Sequence, residues 1–161
     1  MQQEFINSIE DGGWETIMNA IRSSDELIEA TINGDEEKVA KMVERAHDAH
    51  ASIIGYNNET SLSCVISLAY YSARKEYIIH RELATGKGFS DLLFIPRKTS
   101  DKPAMVIELK WDKSANTAIE QIKRKQYTNK ILNYSGEIIL VGINYDTENK
   151  KHDCIIKKEF K

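Results

Sequence analysis

Hydrophobic positions in the first third of the chain recur mostly at three- and four-residue intervals. Between 14 and 32 they are Trp14, Ile17, Met18, Ile21, Leu27, Ile28 and Ile32, the stripe of an amphipathic helix. Asn33-Gly34 is a stop signal, and Asp35 caps a second helix over 36–50, with Val39, Met42, Val43 and Ala46 on one face. After a turn at Gly55-Tyr56-Asn57-Asn58, a third helix is expected over 59–75. Its apolar set (Leu62, Val65, Ile66, Leu68, Ala69, Tyr70) runs nearly all round, as in a buried helix. From Tyr77 the period drops to two. Strands are predicted over 77–83, 89–95, 104–111, 137–145 and 152–158, with a helix over 114–133 between the third and the fourth. The second, third and fourth strands are apolar on both alternating faces, so they belong at the centre of a sheet covered on both sides. The order α-α-α-β-β-β-α-β-β makes this an α/β chain.

Length and composition narrow the class. The chain has 161 residues, 41% of them hydrophobic and 29% charged, enough for one ordinary domain with a real core and too apolar for wholesale disorder. No apolar run approaches the roughly 18 to 20 residues of a membrane span, and the N-terminus lacks the pattern of a secretory signal. Cys64 and Cys154 have no partner at zinc-ligand spacing, which fits two reduced core cysteines and a cytoplasmic protein. The net charge of −3 hides an asymmetry. Residues 1–50 hold 12 acids and 4 bases, whereas 51–161 hold 13 acids and 18 bases. The chain therefore divides into an acidic helical connector, 1–54, and a basic core, 55–161.

The candidate chemistry lies in that core. Asp91 opens the apolar part of the second strand. Glu108 and Lys110 lie near the end of the third, where their i, i+2 spacing places both on one face. An acid and a lysine in a strand otherwise built of Ala, Met, Val and Ile are costly to bury unless compensated. If the second and third strands are hairpin neighbours, Asp91 and Glu108 converge on one end of the sheet. Two carboxylates and a backbone carbonyl make an all-oxygen set suited to Mg²⁺. A lysine beside them can polarise a water or offset charge on a phosphorane, the requirements of phosphodiester hydrolysis. The helix that follows carries Lys123, Arg124, Lys125 and Lys130 against Glu120 alone, a composition suited to phosphate contact or to a solvated face.

Three stretches together are distinctive: 57–97 (NNETSLSCVISLAYYSARKEYIIHRELATGKGFSDLLFIPR), 103–127 (PAMVIELKWDKSANTAIEQIKRKQY) and 138–146 (IILVGINYD). They resemble the PD-(D/E)XK nuclease superfamily. The nearer likeness is to the nuclease-like module that ends many bacterial proteins with an AAA-ATPase-like N-terminal region. The resemblance implies a restriction-endonuclease-like αβββαβ core, a central mixed sheet flanked by helices, with residues 1–54 as its N-terminal helical extension. It implies Asp91 and Glu108 as ligands of Mg²⁺ (or Mn²⁺), Lys110 as the catalytic cation, and Glu59 as a helper on the first core helix. Gln121 and Tyr127 match the Gln and Tyr of the RecB-like branch, and Lys123 and Lys125 lie between them as phosphate contacts. Glu82 is shared with the nearer group and would line the site. Ser90 replaces the motif proline without removing a ligand. The implied partner is nucleic acid, DNA ahead of RNA, with an ATPase-like region outside this chain. The competing reading is a catalytically silent module of the same fold that binds protein or nucleic acid.

Other signals are weaker. Gly86-Lys87 lacks the Walker pattern, since Arg81 and Gly88 occupy the places of its first Gly and its Ser or Thr. His47, His50, His80 and His152 have no ligand spacing. Trp111, directly after Lys110, is expected to wall the site.

Overall fold

Alternation in the second half of the chain produces five strands: β1 (Tyr77–Glu82), β2 (Asp91–Pro96), β3 (Ala104–Trp111), β4 (Glu137–Asp146) and β5 (Lys151–Phe160). They form one sheet whose spatial order is the chain order. The β1–β2, β2–β3 and β4–β5 pairs are antiparallel and β3–β4 is parallel. A parallel neighbour requires a crossover, which α5 (Ala115–Arg124) supplies. The computed structural model describes residues 13–54, 59–82, 91–124 and 134–160.

Before the sheet come α1 (Gly13–Arg22), α2 (Ser24–Asn33), α3 (Glu36–Ile54), α4 (Glu59–Ala69) and a 3₁₀ turn, Tyr71–Lys75. The sheet therefore has two covered faces. On one, Met105, Ile107, Leu109, Ile139, Val141 and Ile143 pack with Leu27, Val39, Val43, Leu62, Val65 and Ile66 of the N-terminal helices. On the other, Leu93, Ala104, Val106, Ile138 and Leu140 pack with Ile119 and Ile122 of α5. This is the mixed, helix-flanked sheet expected of a restriction-endonuclease-like core. Among the described residues no helix is long and apolar enough to cross a membrane.

Several boundaries differ from the periodicity. The helix expected over 14–32 is two helices that meet at Ser23. There the Ser23 hydroxyl donates back to the Asn19 carbonyl at 2.9 Å, and the Ser24 hydroxyl to that of Ile21 at 2.7 Å. Such back-bonding bends a helix. Ser24 Oγ also accepts the Ser72 amide at 3.0 Å, which ties the bend to the 3₁₀ turn. The helix expected over 59–75 leaves the α conformation at Tyr70, whose buried hydroxyl lies 2.7 Å from Thr31 Oγ1. The helix expected over 36–50 continues to Ile54. The ends of three predicted elements, residues 83, 89–90 and 125–133, lie outside the described residues.

Candidate active site

Alternation along β3 decides which side chains meet α5. Ala104 and Val106 face it, and so do Glu108 and Lys110, two and four residues further on. Glu108 is wholly buried and Lys110 is 2% exposed. Neither charge could be held singly in such surroundings. Lys110 Nζ donates to Glu108 Oε1 at 2.9 Å and also to Gln121 Oε1, which α5 brings to it. Lys110 thus meets the Glu108 carboxylate and the neutral Gln121 amide oxygen. The Lys110–Glu108 pair is a salt bridge shielded from water rather than an exposed one.

The register extends this arrangement across the sheet. Glu82 of β1 pairs with Asp91 of β2. Leu92 pairs with Ile107, so the next rung carries positions 91 and 108. In the parallel direction Gly142 lies beside Glu108, and Asn144 beside Lys110. Glu82, Asp91, Glu108 and Gly142 form one row over four strands, and positions directly opposite one another belong to one face of a sheet. The hairpin adjacency expected of β2 and β3 is present. Asp91 and Glu82 are described by backbone position only.

Two residues of this row and its neighbour carry a role that motif reading missed. A Cβ on Gly142 would sit 2.4 Å from the Ala115 carbonyl oxygen and 3.0 Å from the Ala118 side chain. Only glycine lets α5 descend this far onto the sheet. An isolated glycine in an apolar strand is the signal of such an approach. Asn144, buried, accepts the Lys113 amide through Oδ1 at 3.0 Å. It pins the turn between β3 and α5. The same turn contains Asp112 at φ 51°, whose amide donates to the Tyr145 carbonyl at 2.8 Å. Its carboxylate accepts the Thr147 amide at 2.7 Å and hydroxyl at 2.8 Å. The start of α5 is therefore fixed against β4 and the β4–β5 turn, and through α5 so is Gln121.

The remaining candidates are distributed differently. Lys123 is two residues past Gln121, about 200° further round the helix, and pairs with Glu159 of β5 at 3.3 Å. The structure does not bring it to Lys110. Lys125 and Tyr127 lie outside the described residues. Glu59 is the first residue of α4 and is described by backbone alone. The side chains that α4 buries, Leu62, Val65 and Ile66, pack on the sheet face opposite Glu108 and Lys110. Trp111 does not wall the site. Being one residue past Lys110 turns it to the other face, where its ring lies 4.8 Å from that of Tyr145.

The carboxylate of Glu108 and the acid at the adjoining position 91 supply hard oxygen donors of the kind a divalent cation takes. Among the described residues no group of three His, Cys, Asp or Glu side chains gathers as a metal site. Comparison with known proteins bears on the same stretch of chain. No curated protein matches it. The model of the PD-(D/E)XK nuclease superfamily matches residues 57–154, which contain all of α4, β1 to β4 and α5. Members of that superfamily are nuclease-type proteins that generally use divalent metal ions. With more than half of its length matched, including the Asp91 position and the Glu108–Lys110 pair, the chain belongs to the PD-(D/E)XK nuclease superfamily.

Proposed function

We propose that this chain is a Mg²⁺-dependent nuclease, with Mn²⁺ able to substitute, that hydrolyses phosphodiester bonds of DNA in preference to RNA. The observation that supports it best is the buried Glu108–Lys110 pair, with Gln121 bonded to Lys110, on the rung beside position 91. Asp91 and Glu108 would hold the cation. When bound, it would supply Lewis-acid polarisation of a phosphoryl oxygen and a more acidic water. Lys110 contributes a fixed positive charge. In a site this dry, a charge already in place stabilises the developing phosphorane far more than it would in water. Gln121 holds the ammonium without neutralising it, which keeps the charge available. Glu59 is assigned the placement of the attacking water.

Lys123 is assigned to the substrate backbone, with Lys125 and Tyr127 after it in sequence. Its ion pair with Glu159 is exposed on both sides and is worth about 0–1 kcal/mol, so a phosphate can displace it at little cost. The acid-rich residues 1–54 are the attachment through which an ATPase-like region would act on the nuclease core, 55–161.

The test is cleavage of labelled single- and double-stranded DNA and RNA with Mg²⁺, Mn²⁺ or chelator. Wild type should cut with either ion and stop with chelator. Gln121→Ala, and the paired change Glu108→Gln with Lys110→Met, which removes both charges together, should fold but lose cleavage by about 10²-fold or more. If no nucleic acid is cut with either ion and calorimetry detects no metal binding, the enzyme reading fails. The chain is then a binding module of the same fold.

A further inference from the structure

The edge of the sheet far from the site carries a second surface. The 3₁₀ turn Tyr71–Lys75 and the loop after Pro96 meet there. Arg97 donates its amide to the Glu76 carbonyl at 2.8 Å and its Nε to the Arg74 carbonyl at 3.1 Å. The two segments are thereby locked together, with Arg74, Arg97 and Lys98 all exposed. Tyr71 is 45% exposed, and the Arg74 guanidinium lies over its ring, 5.0 Å from the centroid. Among the described residues no ion pair engages Arg74, Arg97 or Lys98. Three nearby acids face a different hollow. Asp25, Glu29 and Glu76 line a neighbouring hollow with Lys75 and Lys102, and Glu29 lies 3.9 Å from Lys102. Asp101 is in the same loop and leaves the patch with a net positive charge.

Three exposed cations gathered without carboxylate partners, beside an exposed aromatic ring, need an anionic partner that also offers flat faces. We propose that Tyr71, Arg74, Arg97 and Lys98 form a secondary nucleic-acid contact, which stacks a base on Tyr71 and grips the adjoining phosphates. The proposal rests on the nucleic-acid reading above and adds a track to it. Single strands bind proteins through this combination of aromatic platforms and cations. The patch adjoins the start of β1, and the candidate active site lies at its end. Five residue steps of strand separate Tyr77 from Glu82, about 17 Å. At about 3.4 Å per nucleotide of a stacked strand, that is roughly five nucleotides. Along the way β1 is an edge strand, and Ile78, on the side that faces α5, is 45% exposed.

The test uses the full chain and fluorescent single-stranded oligonucleotides, with affinity measured by anisotropy over a range of salt. Arg74→Glu combined with Lys98→Glu should weaken binding at least tenfold. It should flatten the slope of log affinity against log salt by about 1.4, the share of two phosphate contacts. Tyr71→Ala should weaken binding about tenfold and leave the salt slope unchanged. Lys157→Glu, the same change of charge type on an exposed residue of β5, should do neither. On long oligonucleotides the patch variants should raise KM and spare kcat, while their rate on a small phosphodiester stays that of wild type. Should the patch variants bind as wild type does, or polyglutamate compete as well as an oligonucleotide of equal charge, the patch is refuted and the nuclease reading stands. Should wild type cleave nothing while the patch variants still lose affinity and salt slope, the catalytic reading fails and the patch stands.

Discussion

Glu108 and Lys110 sit where neither would be chosen for stability. Removing two charges from water costs several kcal/mol per ion, and a buried pair often recovers no more than that. Breaking the pair is worse, because the remaining charge is left buried. Lys110→Ala or Glu108→Ala should therefore lower unfolding free energy by about 3–5 kcal/mol, read from urea denaturation. The double replacement Glu108→Leu with Lys110→Met should recover most of that loss while removing any cleavage. A double variant as unstable as the singles would show that the pair supports the fold itself. The pair was legible in sequence as a polar i, i+2 interruption of an apolar strand. The Lys110–Gln121 bond was not, because it depends on how far α5 descends on the sheet. That descent is set by Gly142, thirty-odd residues downstream of the motif.

At the scale of elements, α5 is the part that assembles the site. It lies on β4 at Gly142, is tied at its start by Asn144 and Asp112, and presents Gln121 to β3. A methyl group on Gly142 would collide with the Ala115 backbone oxygen, which has no rotamer by which to retreat. Gly142→Ala should cost about 1–3 kcal/mol, as overpacking does, with cleavage falling by more than the folded fraction alone explains. Normal activity in the folded Gly142→Ala protein would show that the position of α5 does not govern the site. The order of elements was readable because the hydrophobic period changes at Tyr77 from helical to alternating, and returns to helical only for the crossover between β3 and β4. The joint at Ser23 was only hinted at, by the jump of the apolar stripe from Ile21 to Leu27, since its cause is a pair of hydroxyls bonding back to carbonyls. The Lys123–Glu159 ion pair was not legible for a related reason. Periodicity placed Lys123 on a basic helix, but its ion pair needs β5 to lie beneath that helix, which local sequence does not state.

At the scale of the whole molecule, α3 joins the acid-rich N-terminal part to the outer edge of the sheet. Glu36 accepts the Ile156 amide at 2.8 Å, and Glu44 accepts that of His152 at 3.5 Å. These carboxylates cover backbone donors that an edge strand would otherwise expose. Behind them His47, Tyr145 and His152 pack ring against ring, with centroids 4.7 to 5.1 Å apart. Burial holds both histidines below their ordinary pKa, and His152, which His47 also opposes, falls to about 3. Glu44 lies 3.9 Å from His152 Nδ1, and Asp48 lies 3.6 Å from His47 Nδ1. Their charges pull His47 upward, but desolvation outweighs them. In the unfolded chain a histidine titrates near 6.5, so there it takes up protons that the folded form refuses. The contribution of this joint is complete above that pH. It is lost as pH falls toward 3, at up to about 1.4 kcal/mol per pH unit for His152. The carboxylates held low, Glu26 by Lys38 and Asp146 by Asn149, respond only in more acid solution, so the range from about pH 6.5 to pH 5 separates the histidines from them. Urea midpoints should fall across that range. His152→Phe, which keeps a ring against Tyr145 and keeps the backbone bond to Glu44, should flatten the fall. An equally steep decline in His152→Phe would place the acid sensitivity elsewhere in the molecule.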